Sequence, residues 1–145
     1  MEKICIASDH AGFELKKAFL EKYNTMVDLG TYTPESCDYP VFVKKLADYI
    51  IQNQCKGILI CGTGIGMSIA VNRYSGIRAA LCCNSNMAEM SRKHNNSNVL
   101  VLGARVVTKE IAFDCFRKFI ETEFEGGRHQ RRVDMIDDFV NNTKN

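Results

Sequence analysis

The chain has 145 residues, 46% hydrophobic and 25% charged; that is the size of one domain with enough apolar surface to bury a core, which excludes a mainly disordered chain. Nineteen Lys+Arg against 17 Asp+Glu leave a net charge of +2, too balanced for wholesale nucleic-acid binding, so an anionic partner needs a local cluster. The longest apolar runs, 57–61 and 99–102, are far too short to span a bilayer, so no membrane partner is expected.

Strand and helix patterns alternate without a repeat, linker or low-complexity stretch, and 1–145 reads as a single domain. Residues 3–8 predict a strand on the apolar run Ile4-Cys5-Ile6-Ala7. A helix over 12–22 follows, with Leu15, Ala18 and Phe19 on one stripe. A short strand at 25–29 leads into a turn-rich loop, 30–39, which contains Pro34. Pro40 suits a first helical position, and Val43, Leu46, Ala47, Ile50 and Ile51 recur at helical spacing behind it.

A fully apolar strand at 57–61 then runs into a glycine-rich loop and a helix to about residue 73. Residues 77–82 predict the fourth strand, Asn86 a helix cap with Glu89 at the capping-box offset, and 99–102 the fifth strand. Thr108 caps a long helix whose core stripe is Ala112, Cys115, Phe116, Phe119 and Ile120, and Gly126-Gly127 ends it. A last helix over 130–141 carries Ile136, Phe139 and Val140. The expected fold is an α/β, Rossmann-like three-layer α/β/α sandwich on a five-stranded parallel sheet. Ligands of such sheets sit at the carboxyl ends of the strands, which selects loops at 8–12, 61–66, 83–86 and 103–108.

Four polar clusters carry the candidate chemistry. Asp9 and His10 sit side by side past the first strand, a pair that can act in catalysis or merely cap a helix. Cys61-Gly62-Thr63-Gly64-Ile65-Gly66 lies between a buried strand and a helix. Its amides face an anion, and its Cys61 stands where loop N–H groups favour a thiolate. The spacing is neither the dinucleotide fingerprint nor a Walker loop, and a tight turn beside a buried cysteine would look the same. Arg92-Lys93-His94-Asn95-Asn96 closes a helix, where His94 is a catalyst or a satisfied terminal residue. Arg128 and Arg132 are four apart, on one helical face beside His129, and two guanidiniums there suit a phosphate or are a solvated basic turn. Each of the three histidines lies in one of these clusters and none in an apolar run.

Taken in order, Asp9-His10-Ala11-Gly12, Asp38-Tyr39-Pro40, 61–66, Gly76-Ile77-Arg78-Ala79, His94-Asn95, Gly103-Ala104-Arg105 and Gly127-Arg128-His129-Gln130 resemble the type B ribose-5-phosphate isomerases of the ribose/galactose-6-phosphate isomerase family, over almost the whole chain. The resemblance implies an aldose–ketose isomerase of pentose phosphate metabolism, working through an enediolate as a homodimer or homotetramer with its site at the subunit interface. Some members carry a glutamate base after the glycine loop; here that place is Met67, and Cys61 implies the cysteine branch.

By resemblance, Cys61 is the base, Thr63 a proton relay, and His94 with Asp9 the ring-opening pair. His10, Arg105, Arg128 and Arg132 hold the phosphate, with His129 close by and Tyr39 against the substrate. The loop amides of Gly62, Gly64, Ile65 and Gly66, with Asn95, hold the oxyanion. No metal or cofactor is expected. Two alternatives stay open: an isomerase of a six-carbon sugar phosphate, such as allose or galactose 6-phosphate, and a non-catalytic phosphate- or nucleotide-binding module.

Seven cysteines (5, 37, 55, 61, 82, 83 and 115) form no CxxC pair, so free thiols are expected, with those other than Cys61 buried. The first residues show no apolar signal region or small-residue cleavage site, so the expected location is the cytoplasm.

Overall fold

The computed structural model describes residues 2–142. The elements are β1 (Ile4–Ser8), α1 (Phe13–Lys22), β2 (Val27–Asp28), α2 (Tyr39–Asn53), β3 (Lys56–Cys61), α3 (Ile65–Val71), β4 (Ala79–Leu81), α4 (Ser85–Asn95), β5 (Val99–Gly103), α5 (Lys109–Glu121) and α6 (Arg128–Asn142). The five strands are all parallel and lie in the order β2-β1-β3-β5-β4. Strand order reverses between β1 and β3, so their carboxyl ends open a crevice there.

The central strands are buried on both faces, which explains their unbroken apolar runs. Ile4, Ile6, Ile58, Ile60, Leu100 and Leu102 face one way, onto Phe19 of α1 and Ala112, Cys115, Phe116 and Phe119 of α5. Cys5, Ala7, Leu59, Cys61, Val99 and Val101 face the other, onto Val43, Leu46, Ala47 and Ile50 of α2 and Met67 and Val71 of α3. The two-residue period of the strands thus fixes which layer each side chain joins. The expected three-layer sandwich is present. No helix among the described residues is long and apolar enough to cross a membrane.

Several boundaries differ from the expectation. The edge strands β2 and β4 are shorter than 25–29 and 77–82, each having a neighbour on one side only. The cap of α4 is Asn84, not Asn86: its Oδ1 accepts from the Met87 amide at 2.9 Å, and Asn86 is already inside the helix. Thr108 does cap α5, accepting from the Ile111 amide at 3.2 Å. That helix ends at Glu121 and not at the glycine pair, because Thr122 turns extended and residues 122–125 cross to the end of α4, where the Glu125 amide donates to the Lys93 carbonyl. Gly126 and Gly127 both take positive φ (70° and 55°), the turn that launches α6 at Arg128, two residues before the expected start.

Candidate active site

The loops after β1, β3 and β5 are stitched into one wall. The Asp9 amide donates to the Ile60 carbonyl, the Ala104 amide to Cys61 and the Arg105 amide to Gly62. Into this wall points Cys61, 6% exposed, whose Sγ accepts the Gly64 amide at 3.2 Å. That donor is aimed where negative charge on sulfur would be stabilised. Thr63 is exposed beside it, and its hydroxyl oxygen accepts from the Ile65 amide.

Gly66 is required here by contact rather than by torsion. A β-carbon would lie 2.8 Å from the Tyr39 ring carbon that bears the hydroxyl, so the absent side chain is what lets Tyr39 lie against the loop. On the other side of the loop, a β-carbon at Gly62 would lie 3.0 Å from an Arg105 guanidinium nitrogen. Met67 is fully buried in the α2/α3 core, which leaves Cys61 as the ionisable side chain between 61 and 67.

Asp9 is buried and its Oδ1 accepts from the Gly12 amide at 3.1 Å, so it closes the first turn ahead of α1. His10 accepts the Cys37 amide on Nδ1 at 3.2 Å, which places the proton of the neutral ring on Nε2. Cys37 was expected to be buried; it is half-buried, with its Sγ 3.9 Å from the same nitrogen. Nothing in the sequence tied residue 37 to residue 10.

The remaining candidates do not join this wall within one chain. A parallel strand–helix–strand unit returns each helix against the strand direction. The end of α4 therefore lies at the amino edge of the sheet, next to Asn98, whose carbonyl accepts the amide of Gly57 near the start of β3. There His94 stacks on His129, with centroids 4.4 Å apart and planes at 19°. Asn95, Arg128 and Arg132 are exposed around the pair. Five residues of β5 separate the two clusters, roughly 15 Å at ~3.3 Å per residue.

Arg92, which the sequence groups with His94, points inward and is structural. Its Nη1 donates to Asn96 Oδ1 and to the Ser97 carbonyl, and its Nε to the Thr122 carbonyl. It thereby locks the helix end that carries His94 to the segment that carries Glu125.

Glu125 was missed by sequence reading. Its Oε1 lies 3.6 Å from His129 Nε2, and ligand atoms of His94, Glu125 and His129 all fall within 4.8 Å of one another, a geometry able to hold a metal ion. Its one sequence signal is the four-residue offset from His129. Burial, His94 and Arg128 hold the His129 imidazole below its usual pKa, with Arg132 adding to them and Glu125 opposing. The thiols of Cys82 and Cys115 are pushed up by burial, to about 12 and about 11, which marks them as packing groups.

Residues 4–136 match the family model described as Ribose/Galactose Isomerase. The ribose-5-phosphate isomerase B of Escherichia coli strain K12 is 42% identical over 141 residues, 94% of this chain and 95% of that protein. The solved ribose-5-phosphate isomerase B of Clostridium thermocellum superposes with a TM-score of 0.91 at 48% identity, covering 97% of this chain and 98% of that one. The Mycoplasma genitalium ribose-5-phosphate isomerase B, solved with bound ribulose 5-phosphate, superposes at 0.92 with 42% identity and 97% of each chain covered. The chain is an isomerase and belongs to the ribose/galactose isomerase family.

Proposed function

We propose that this chain interconverts ribose 5-phosphate and ribulose 5-phosphate, with Cys61 as general base, in a site that a second copy completes. The observation that carries this reading is the Gly64 amide on Cys61 Sγ, in the crevice that Asp9, Tyr39 and Arg105 also line. Isomerisation moves a proton between adjacent carbons. The Cys61 thiolate takes the C2 proton of the open-chain aldose and returns it to C1. The amides of the loop from Gly62 to Gly66 hold the enediolate oxygen, and the Thr63 hydroxyl moves the proton between O1 and O2.

Ribose 5-phosphate is mostly a closed furanose ring, so the ring must be opened first. Asp9 at the crevice and His94 form the acid–base pair for that step. Within one chain His94 stands at the far edge of the sheet, so the partner subunit's His94 serves this crevice, with the Asn95, His129, Arg128 and Arg132 that surround it. His10 and Arg105 meet the phosphate from the crevice side.

A second copy also explains why the mouth of the crevice is apolar. Ile65 (54% exposed) and Ile69 (59%) share one face of α3, and Met87 and Val106 lie beside Ile65. Seven free thiols fit a reducing compartment, and we place the enzyme in the cytoplasm. The mechanism needs neither a metal nor a redox cofactor.

Turnover of ribose 5-phosphate by the wild type and by Cys61→Ala, with allose and galactose 6-phosphates alongside, tests the reading. Removing the base should cost about 10²–10⁴-fold in rate while substrate still binds. Full turnover by Cys61→Ala would exclude Cys61 as base. Preference for a six-carbon substrate would reassign the sugar, and phosphate binding with no turnover of any of them would leave a binding module.

A further inference from the structure

We propose that His94, Glu125 and His129 form a zinc-type divalent-cation site, and that filling it switches isomerisation off. Two imidazoles and one carboxylate are a ligand set that zinc takes, with the fourth position left to water. The site is built rather than accidental. The Glu125 amide is bonded to the Lys93 carbonyl, the His129 amide to the Gly126 carbonyl, and Arg92 ties the end of α4 to Thr122. The three ligands are therefore carried on two segments braced to each other, the end of α4 and the turn into α6.

Ligand atoms within 4.8 Å of one another must close to about 3.3 Å around an ion that bonds at ~2.0–2.1 Å. Glu125, exposed and with rotatable bonds, supplies part of that closure. A rotation of each stacked ring about χ2 turns one nitrogen lone pair of each toward a common point and supplies the rest.

Charge around the site selects the ion. Arg128 and Arg132 lie close and oppose any cation, whereas Lys93 and Lys118 are engaged by Glu89, at 3.1 and 3.9 Å. Magnesium and calcium, which need several oxygen ligands, have one carboxylate here and no compensation for that repulsion. Zinc, cobalt and nickel gain imidazole bonds that do not depend on net charge. Inhibition follows because a metal-bound His94 nitrogen cannot carry the ring-opening proton, a step that rests on the role given to His94 above.

The test uses the intact enzyme, free of substrate, titrated with Co²⁺ and then Zn²⁺. Visible d–d bands without the near-ultraviolet sulfur-to-cobalt charge transfer place the ion on nitrogen and oxygen, not on one of the seven cysteines. Zn²⁺ should then stop turnover of ribose 5-phosphate, EDTA should restore it, and Mg²⁺ should do neither. Glu125→Gln should turn over normally in EDTA and need at least ~10-fold more Zn²⁺ for half-inhibition, since even outer-shell partners of a metal cost that much when removed.

Equal Zn²⁺ sensitivity in Glu125→Gln, a thiolate spectrum, or Zn²⁺ bound at these ligands with full turnover would each overturn the proposal. Failure of the mechanism reads out separately: His94→Ala with full turnover in EDTA removes His94 from the chemistry whatever cobalt binds.

Discussion

Replacing Cys61 by alanine in one subunit and His94 by alanine in its neighbour leaves one complete site in a mixed pair. The expectation follows from the roughly 15 Å of β5 that separates the two residues within a chain. If each crevice takes Cys61 from one copy and His94 from the other, one site of the pair has both residues and the second has neither. Each parent variant alone should fall by about 10²–10⁴-fold, the usual loss of an acid or base. A mixed pair isolated through two different affinity tags should regain about half the wild-type rate. A randomly re-associated mixture should regain about one quarter, since half its pairs are mixed and each has one good site in two.

The assay is formation of ribulose 5-phosphate from ribose 5-phosphate at matched subunit concentration. Cys61→Ala paired with Thr63→Ala is the control. Both residues lie in the same loop, so neither site of that pair is complete and no recovery is expected. A Cys61/His94 mixed pair as inactive as its parents would refute the shared site, and so would an active monomer.

Arg132→Ala should raise KM for ribose 5-phosphate by roughly 10- to 100-fold, the loss of one charged hydrogen bond, with kcat affected less and Arg132→Lys recovering part of it; an unchanged KM would remove Arg132 from the phosphate. Brief iodoacetamide treatment should label exposed Cys83 and half-buried Cys37 before Cys61, and loss of activity should follow the Cys61 peptide by mass spectrometry; activity lost while Cys61 is unmodified would contradict its role. Phe19→Ala should cost about 3–5 kcal/mol in denaturant unfolding, because Phe19 is fully buried and edge-on to Phe113 and Phe116; a loss under about 1 kcal/mol would mean the core closes over the gap.

Because the His129 pKa is lowered on folding, the unfolded chain binds more protons as acid is added. Its contribution is intact above the unfolded value near 6.5 and is lost as pH falls through the folded one, so Tm should begin to drop as pH falls below about 6.5. His129→Gln should flatten that drop, and an equally steep fall in the variant would assign it elsewhere.

The faces of the fold were legible because periodicity encodes them. Cys61 was placed at a strand end by the same pattern that buries Leu59. Boundaries were less so: Asn86 with Glu89 fits the capping-box pattern on paper, yet Asn84 caps α4. The inward turn of Arg92 was not legible at all. Two of its three partners are carbonyls, at Ser97 and Thr122, and a backbone acceptor leaves no mark in the residue that supplies it. Cys37 against His10 and Glu125 against His94 are further cases in which loop paths, not residue types, make the neighbours.

The division of the site into two clusters follows from the topology itself. In a parallel sheet every crossover helix starts near the carboxyl edge and ends near the amino edge, so Asn84 and His94 are at opposite ends of the molecule although ten residues apart. A chain of this fold that keeps its base on the loop after β3 and a ring-opening acid at the end of α4 has no single-chain route between them. Loop lengthening cannot supply one, because Arg92 and the 122–125 segment fix the end of α4 to the rest of the sheet. On the proposed reading, apposing two copies, carboxyl edge to amino edge, would bring the two clusters together, and twofold symmetry would make two sites from one interface. The exposed Ile65 and Ile69 beside the cysteine loop are the residues such an interface would cover, which would put the chemistry and the association on the same short helix.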